Sequence, residues 1–450
     1  MRDFEGFLNR AKECREAILK MKNPLVVNHY DCDGLSSGAI ICKFLEDNKI
    51  PYRIKTIRKL DDKVLEEIAN EKGIIFSDLG GGHSGVNKLE ASVVIFDHHQ
   101  TSGIEKMQLN PHLFGIEGGT DMCGSTCAYW ALEKLPEVAI VGAVGDMQYP
   151  FIGTNRELAL KLQEKGILKI EVGLKMYGRM SRPLVQFLAY SDEPHLPGLG
   201  GDEARCAKFL DGLGIGKEGE RWKTYCELNE EEKKKLISAL AAHMAESFGG
   251  KYRAENLVGE VYSFPNFSKI PELYDAGEFS TMLNACGRHN EEQIGIDVCL
   301  MREGALEKGR ELLAMHKRAL REGVDFAYKN TRDFGPILIL DGRGVIDDGI
   351  IGVVAGMLYG GLRKKPIIGL SYDPNKNIKV SSRGTKELIA RGLNLGMALK
   401  EACTAVGGQG GGHRIAAGAT VPPEKLDEFL KIFCSVVERQ LAHGDKSLIL

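Results

Sequence analysis

The chain has 450 residues, more than one hydrophobic core normally holds, so we expect two or three domains. Hydrophobic residues make up 43% and charged residues 27%, which is typical of a globular protein, and no apolar run is long enough to predict a membrane-spanning helix. The net charge of −3 excludes a global basic field, so a nucleic-acid site must be a local patch. The 11 scattered cysteines, without a CxxC pair, predict reduced thiols and a cytoplasmic location.

Four short apolar runs in the first third of the chain each end in polar residues that can bind a metal. The runs cover residues 25–27, 74–76, 93–96 and 139–144, and helical patterns lie between them. Strands that alternate with helices predict a parallel sheet. Ligands of such sheets bind beyond the carboxyl ends of the strands, so we expect the polar clusters to meet at one edge.

Two imidazoles and four carboxylates follow these runs: His29, Asp31, Asp33, Asp78, His98 and Asp146. Each one alone is also consistent with a helix cap or a polar turn. Together they form a mixed nitrogen and oxygen ligand set, which suits Mn²⁺ or Mg²⁺. Six ligands are too many for one ion with an open position, but they suit two ions that share a carboxylate. Such a pair can clamp the attacking and leaving oxygens of a phosphoryl displacement.

The chain changes character twice after this region. Residues 191–330 are mainly helical in pattern, and residues 331–450 return to alternating strands and helices, including one long helix predicted over 385–405. The last part holds 16 Lys and Arg against 12 Asp and Glu, a local excess of +4 in a chain whose net charge is −3. We therefore predict three domains, 1–190, 191–330 and 331–450, with positive charge where a phosphate-holding domain needs it.

A glycine-rich segment, residues 407–414, lies near the C-terminus. It matches neither a P-loop nor a dinucleotide fingerprint. Gly410, Gly411 and Gly412 would let the backbone approach an anion, and successive N–H groups can form a nest. His413 and Arg414 would add charge-assisted donors. A tight turn without a binding role is the alternative that these residues leave open.

The motifs HYDCDG at residue 29, SD at 77, DHH at 97 and GD at 145 resemble, in this order, the DHH phosphoesterase superfamily. The glycine-rich segment resembles the GGGH loop of the DHHA1 domain. The segments PHLPGLGG and FSTMLNACGR resemble archaeal RecJ-like exonucleases, including the nuclease associated with the archaeal replicative helicase. The resemblance implies an α/β fold in which a DHH parallel sheet and a smaller DHHA1 domain flank a metal cleft, with a mainly helical middle segment.

The resemblance also implies a role for each candidate residue. His29 and Asp31 would hold one metal ion, Asp33, His98 and Asp146 would hold the second, and Asp78 would bridge both. His99 would contact the scissile phosphate, and Asp97 would orient a histidine. The residues with catalytic roles would be Asp33, Asp78, His98 and His99. The residues that bind substrate phosphate would be His99 together with Ser382, Arg383, Gly411, Gly412, His413 and Arg414.

The implied function is that of a RecJ-like exonuclease, which hydrolyses single-stranded DNA or RNA to mononucleotides with two Mn²⁺ ions, or with Mg²⁺ or Co²⁺ as substitutes. The implied partners are single-stranded nucleic acid and a replisome helicase or GINS complex, and no membrane partner is expected. Two alternatives remain open: a phosphodiesterase for oligoribonucleotides or cyclic dinucleotides, and a replisome scaffold that retains nuclease activity. A pyrophosphatase is disfavoured because that branch has a different C-terminal domain without the GGGH loop.

Overall fold

The computed structural model describes residues 2–191, 194, 196–247, 257–358 and 364–443, and the chain divides into two compact units. The first unit comprises residues 1–191 and 198–313, and the second comprises residues 192–197 and 314–450. Most of the predicted middle segment, residues 191–330, therefore belongs to the first unit.

The strands and helices of the first unit alternate over its N-terminal half. The strands are β1 (Leu25–His29), β2 (Arg53–Ile57), β3 (Gly73–Ser77), β4 (Ser92–Phe96), β5 (Met107–Leu109), β6 (Lys169–Leu174), β7 (Lys217–Glu218), β8 (Arg221–Trp222) and β9 (Val258–Ser263). The helices are α1 (Phe4–Leu19), α2 (Cys32–Asp47), α3 (Asp62–Ile68), α4 (Gly124–Leu132), α5 (Pro136–Gly145), α6 (Gly153–Glu164), α7 (Leu184–Ala189), α8 (Glu203–Leu213), α9 (Glu230–Ser247), α10 (Pro271–Tyr274), α11 (Ala276–Arg288) and α12 (Glu292–Cys299).

A five-stranded parallel sheet with the order β2-β1-β3-β4-β5 forms the centre of the first unit. Alternate residues of β4 enter different cores: Val93 and Ile95 pack on one face of the sheet, and Val94 and Phe96 pack on the other. Both faces are buried, which explains why the strands are continuous apolar runs. The predicted parallel sheet is confirmed, with strands at three of the four predicted runs.

The fourth run, residues 139–144, is not a strand. It lies inside α5, which begins with Pro136 in its first turn and packs against α2, α4 and α11. A helix that is buried on all sides is apolar on all sides, so its sequence has no period that distinguishes it from a buried strand. Asp146 therefore follows the C-terminus of a helix, not the end of a strand.

The described residues in the middle of the chain form helices and two antiparallel ribbons, in which β6 pairs with β9 and β7 pairs with β8. The Tyr262 hydroxyl of β9 accepts a hydrogen bond of 3.1 Å from the N–H of Phe151. This bond fixes the segment that follows Asp146. Among the helices described here, none combines the length and the apolar character that a membrane span requires.

The second unit has a six-stranded sheet with the order β10-β11-β12-β13-β15-β14. Its strands are β10 (Thr331–Phe334), β11 (Ile337–Asp341), β12 (Ile367–Tyr372), β13 (Ile378–Arg383), β14 (Gln409–Gly412) and β15 (Ala416–Val421). Its helices are α14 (Ile351–Met357), α15 (Lys386–Ala390), α16 (Leu395–Val406) and α17 (Leu426–His443), and α13 (Ala305–Asn330) spans the boundary between the units. β11 and β12 are parallel, and the other pairs are antiparallel.

Two predictions for this unit are wrong in detail. The single helix predicted over 385–405 is two helices, α15 and α16, because Gly392 adopts a positive φ of 101° and Asn394 caps a new helix. The glycine-rich segment is not a loop throughout, since Gln409–Gly412 form the edge strand β14. A Cβ at position 410 would lie 2.6 Å from Cys403 Sγ, so glycine there allows close packing against α16.

Candidate metal centre

The carboxyl ends of three neighbouring strands carry most of the candidate ligands. β1 ends at His29, β3 is followed by Asp78, and β4 is followed by the DHH run at residues 97–99. Because β3 pairs in parallel with both β1 and β4, the three segments leave the sheet side by side. The sheet thereby brings together residues that are far apart in the sequence.

The first cluster of ligand atoms consists of His29, Asp31 and Asp78. The Nδ1 atom of His29 lies 3.0 Å from Asp31 Oδ2 and 3.3 Å from Asp78 Oδ2. Asp31 is the N-cap of α2, and its Oδ1 accepts a hydrogen bond of 3.0 Å from the N–H of Gly34. The cap fixes one oxygen of Asp31 and leaves the other facing His29.

The second cluster surrounds His98. Its Nε2 lies 3.2 Å from Asp78 Oδ1, 3.8 Å from Asp146 Oδ2 and 4.0 Å from Asp33 Oδ2. Its Nδ1 lies 2.6 Å from the carbonyl oxygen of Gly118, so Nδ1 carries the proton and Nε2 offers its lone pair to the cluster. The two oxygens of Asp78 therefore face different clusters, which is the arrangement that a bridging carboxylate requires.

Asp78 is held in an unusual backbone conformation. Its φ of 59° lies in the left-handed region, which aspartate tolerates better than most residues. Its N–H donates a hydrogen bond of 2.7 Å to the carbonyl of Phe96, and its side chain is 2% exposed. The backbone thus turns sharply after β3, and such conformations are concentrated at functional sites.

Asp33 is bound by the first turn of α4. The N–H of Gly124 donates to Asp33 Oδ2 at 2.6 Å, and the N–H of Ser125 donates to Oδ1 at 2.9 Å. A Cβ at position 124 would lie 2.8 Å from both Asp33 Oδ2 and Asp78 Cβ. Glycine at this position lets the helix backbone contact the carboxylate directly, and the N-terminus of the helix stabilises its charge.

Asp97 points away from these clusters and holds the histidines. Its Oδ2 accepts a hydrogen bond of 2.7 Å from the N–H of Gly81, and its Oδ1 lies 2.8 Å from His99 Nδ1. Oδ1 also accepts a hydrogen bond from the N–H of His98. Both oxygens are occupied, so Asp97 orients the half-exposed side chain of His99.

The carboxylates of the site differ strongly in pKa. Burial raises the pKa of Asp33 to about 7, and the charge of Asp78 contributes to this shift. Burial likewise raises the pKa of Asp146 to about 6. Burial also opposes the ionisation of Asp78, but the imidazoles of His29 and His98 outweigh it and lower the pKa of Asp78. The negative charge of Asp78 contributes to the raised pKa of both Asp33 and Asp146.

This donor set fits divalent cations. Two sets of three residues each bring one ligand atom per residue within 4.8 Å of one another: His29, Asp31 and Asp78, and Asp78, His98 and His99. The buried atoms His29 Nδ1 and Asp78 Oδ1 face other candidate ligands at 3.0–3.3 Å, but these contacts lack the geometry of a hydrogen bond. Buried carboxylates are normally paired or coordinate a metal. His29, Asp31, Asp33, Asp78, His98 and Asp146 therefore could hold metal, with Asp78 common to both clusters.

The predicted phosphate-binding residues of the second unit lie at one end of its sheet, whereas His99 lies in the first unit. Arg383 is opposite Ala416, and Gly412 is opposite Ala417. His413 and Arg414 follow β14 directly. The Ser382 hydroxyl is fully buried and donates a hydrogen bond of 3.0 Å to the carbonyl of Ala417, so a phosphate would have to replace this partner.

Sequence reasoning missed the contribution of α11 to the site. The Asn284 side-chain oxygen accepts a hydrogen bond of 3.1 Å from the N–H of Cys32, between Asp31 and Asp33. Arg288, one helical turn further along, is partly buried beside Tyr30 and Asp31, and burial lowers the pKa of its guanidinium. Both residues belong to the segment FSTMLNACGR, whose resemblance to RecJ-like proteins was the available signal.

Gln148 is a second missed residue. It is 4% exposed, and its amide nitrogen lies 2.8 Å from both Asp146 Oδ2 and the carbonyl oxygen of Gly118. No spacing or motif in the sequence indicates these contacts. These contacts depend on the turn that follows α5, and α5 itself had been predicted as a strand.

Three protein-family models match successive parts of the chain. The N-terminal domain of the DHH family matches residues 23–145, the DHH-CID domain matches residues 176–258, and the DHHA1 domain matches residues 335–439. The chain is 32% identical over 450 residues to the Uncharacterized protein MJ0831 of Methanocaldococcus jannaschii, with 96% of this chain and 97% of the relative covered. These matches place the chain in the DHH phosphoesterase superfamily.

Solved structures share the fold. RecJ of Thermus thermophilus in complex with Mn²⁺ gives a TM-score of 0.59 at 17% identity, covering 96% of this chain and 55% of RecJ, so the chain spans about half of that protein. CDC45 of Entamoeba histolytica gives a TM-score of 0.62 at 12% identity, covering 97% and 98% of the two chains. The protein belongs to the DHH/DHHA1 family and has a RecJ-like fold, as the motifs predicted.

Proposed function

We propose that the protein is a metal-dependent phosphodiesterase, and that it degrades single-stranded nucleic acid as an exonuclease with two Mn²⁺ ions. The observation that carries the proposal is the position of Asp78, whose two oxygens face two separate clusters of imidazole and carboxylate ligands. Two divalent cations bound there would activate a water molecule and neutralise charge on the phosphoryl oxygens.

The residues around Asp78 divide the binding of these cations between them. His29 and Asp31 would hold one cation together with Asp78, and Asp33, His98 and Asp146 would hold the other with Asp78. The Gly118 carbonyl keeps the Nε2 lone pair of His98 available for binding. Asp33 keeps its place through the first turn of α4. The protein thus presents both ligand sets before substrate arrives, which lowers the cost of organising the reaction.

Two cationic side chains near the clusters suit a phosphodiester. His99 is oriented by Asp97, whose charge outweighs the opposing effect of burial and raises the pKa of His99. A protonated, half-exposed imidazole can donate to a phosphoryl oxygen. Arg288 lies beside Asp31, where its guanidinium can neutralise a second phosphate. We assign His99 to the scissile phosphate and Arg288 to a neighbouring one.

The second unit supplies further phosphate contacts in this proposal, through Ser382, Arg383, Gly411, Gly412, His413 and Arg414. A replisome helicase or GINS complex remains the proposed protein partner. The same metal centre could serve oligoribonucleotides or cyclic dinucleotides, so the substrate has to be decided by experiment. A scaffold without catalysis would not need the two complete ligand sets around Asp78.

The test uses single strands of DNA and RNA labelled at either end, a blunt duplex of the same sequence and a cyclic dinucleotide, each with Mn²⁺. We expect stepwise shortening of the single strands from one end, little attack on the duplex, and loss of all hydrolysis in excess chelator. Asp78→Asn should be inactive. Asp62→Asn is the matched control, because Asp62 has an 85% exposed side chain on α3.

Each other outcome contradicts part of the proposal. Hydrolysis of only the cyclic dinucleotide would replace the exonuclease with a small-substrate phosphodiesterase. Undiminished hydrolysis after chelation would refute the metal centre. Absence of hydrolysis from every substrate, with a folded protein and bound metal, would favour the scaffold.

A further inference from the structure

Gln148 contacts Asp146 of the second ligand cluster directly, and it contacts the carbonyl group that supports His98. Its side-chain nitrogen donates to Asp146 Oδ2 at 2.8 Å and to the Gly118 carbonyl at 2.8 Å. The same carbonyl accepts the Nδ1 proton of His98 at 2.6 Å. A continuous path of hydrogen bonds therefore joins His98, Gly118, Gln148 and Asp146.

The orientation of the Gln148 amide is fixed by Asn155 on α6. The Asn155 side-chain nitrogen donates to the Gln148 side-chain oxygen at 2.7 Å, and Asn155 is fully buried. Its own backbone N–H donates to the carbonyl of Asp121 at 2.8 Å. With its oxygen occupied by Asn155, Gln148 can present only N–H groups to Asp146 and Gly118.

These contacts have a consequence for both ligands. A donor on Asp146 Oδ2 favours the ionised form of the carboxylate and directs its second oxygen elsewhere. A donor on the Gly118 carbonyl holds the atom that sets the tautomer of His98. Outer partners of this kind tune metal sites, and removing one commonly lowers metal affinity by about 10- to 100-fold.

We propose that Gln148 is a positioning residue of the metal centre, which holds His98 and Asp146 in their binding geometry and is itself oriented by Asn155. The proposal rests on the proposed function, because it presupposes that this cluster binds a cation. Gln148 binds neither metal nor substrate in this account. It acts through the two ligands.

The test measures Mn²⁺ affinity directly by calorimetric titration. Gln148→Met keeps the size of the side chain and removes both donors, and we expect it to weaken the affinity of one site by about 10- to 100-fold. Asn155→Asp replaces the donor that faces the Gln148 oxygen and should reverse the amide, which also weakens binding. The double variant should be no weaker than Gln148→Met, because Asn155 acts only through Gln148.

Gln108→Met is the matched control. Gln108 is also buried, but its amide donates to Thr101 and to the carbonyl of Ile104, away from the clusters. It should keep the Mn²⁺ affinity of the natural protein, and all variants are compared for thermal unfolding in chelator. If Gln148→Met does not fold, the positioning role is tested with Asn155→Asp alone, which should still weaken Mn²⁺ binding.

The possible results distinguish failure of the metal centre from failure of the positioning role of Gln148. A natural protein that binds no Mn²⁺ overturns the proposed metal centre. If the natural protein binds two ions, and either Gln148→Met has unchanged affinity or the two substitutions are additive, only the positioning role is overturned.

Discussion

The edge of the parallel sheet in the first unit and the glycine-rich end of the sheet in the second unit use polar residues and glycines differently. In the first unit, buried and half-buried carboxylates converge, and backbone N–H groups from the starts of α2 and α4 donate to Asp31 and Asp33. In the second unit, Gly410 of β14 allows the strand to pack closely against α16, while His413 and Arg414 remain exposed.

This difference has a physical cause. Buried carboxylates are normally paired or bind a metal, so the convergence of these side chains favours a cation site. Exposed basic residues at a strand end cost little free energy and need no ligand. The packing of the first unit thus points to a bound cation, whereas exposed basic residues at a strand end do not by themselves indicate a ligand.

The largest effect is expected for Asp78→Ala. Removing the residue that both clusters share should lower turnover by more than about 100-fold, since losing even an outer partner of a ligand costs about 10- to 100-fold. Metal content by elemental analysis and hydrolysis of a labelled single strand provide the measurement. A variant that keeps two ions and near-normal turnover would show that Asp78 does not bridge.

His29→Ala should have a smaller effect than Asp78→Ala. It removes a ligand from the first cluster only, so the ion held by Asp33, His98 and Asp146 should remain. We expect about one ion per chain and a measurable residual rate at high Mn²⁺. Loss of both ions in His29→Ala would contradict the division into two clusters.

Arg383→Ala and His413→Ala test the second unit. A charge-assisted hydrogen bond to phosphate is worth about 1.5–3 kcal/mol, so each substitution should weaken binding of a single strand by roughly 10- to 150-fold. Metal content should not change. The slope of log affinity against log salt concentration should also become shallower, by about 0.7 for each phosphate contact removed. Unchanged affinity would assign these residues no part in binding.

The smallest effects separate packing from binding at neighbouring glycines. Gly410→Ala places a methyl group 2.6 Å from Cys403 Sγ and should destabilise the fold by about 1–3 kcal/mol. Gly411→Ala meets nothing within 4 Å and should leave stability unchanged or slightly higher. Thermal unfolding measures both. Weaker single-strand binding by Gly411→Ala at normal stability would support close approach of phosphate, and equal unfolding temperatures for the two variants would contradict the packing argument.

The sequence predicted which side chains converge, because apolar period and sheet topology carry that information. Apolar strands that end in His29, Asp78 and His98 must deliver these residues to one edge of a parallel sheet. Asp146 was predicted to lie near them even though the preceding apolar run is a helix and not a strand. The prediction used only the fact that Asp146 follows an apolar run, so it did not depend on the type of element.

Features that depend on packing could not be predicted. Nothing local distinguishes the buried helix α5 from a strand, and the contacts of Gln148 and Asn284 come from turns and helices that are distant in sequence. The edge strand β14 could not be predicted for a similar reason. Glycine is rare in strands, and its presence there follows from the close approach of α16 and β15, which only the folded chain reveals.

The most direct test of the central claim is the electron paramagnetic resonance spectrum of the Mn²⁺-loaded protein, combined with the stoichiometry of binding. Two ions that share the carboxylate of Asp78 should lie about 3.5–4 Å apart. We expect two Mn²⁺ per chain and a spectrum of magnetically coupled ions, which Asp78→Asn converts to that of isolated Mn²⁺. Binding of a single ion, or of two uncoupled ions, by the natural protein would contradict the central claim.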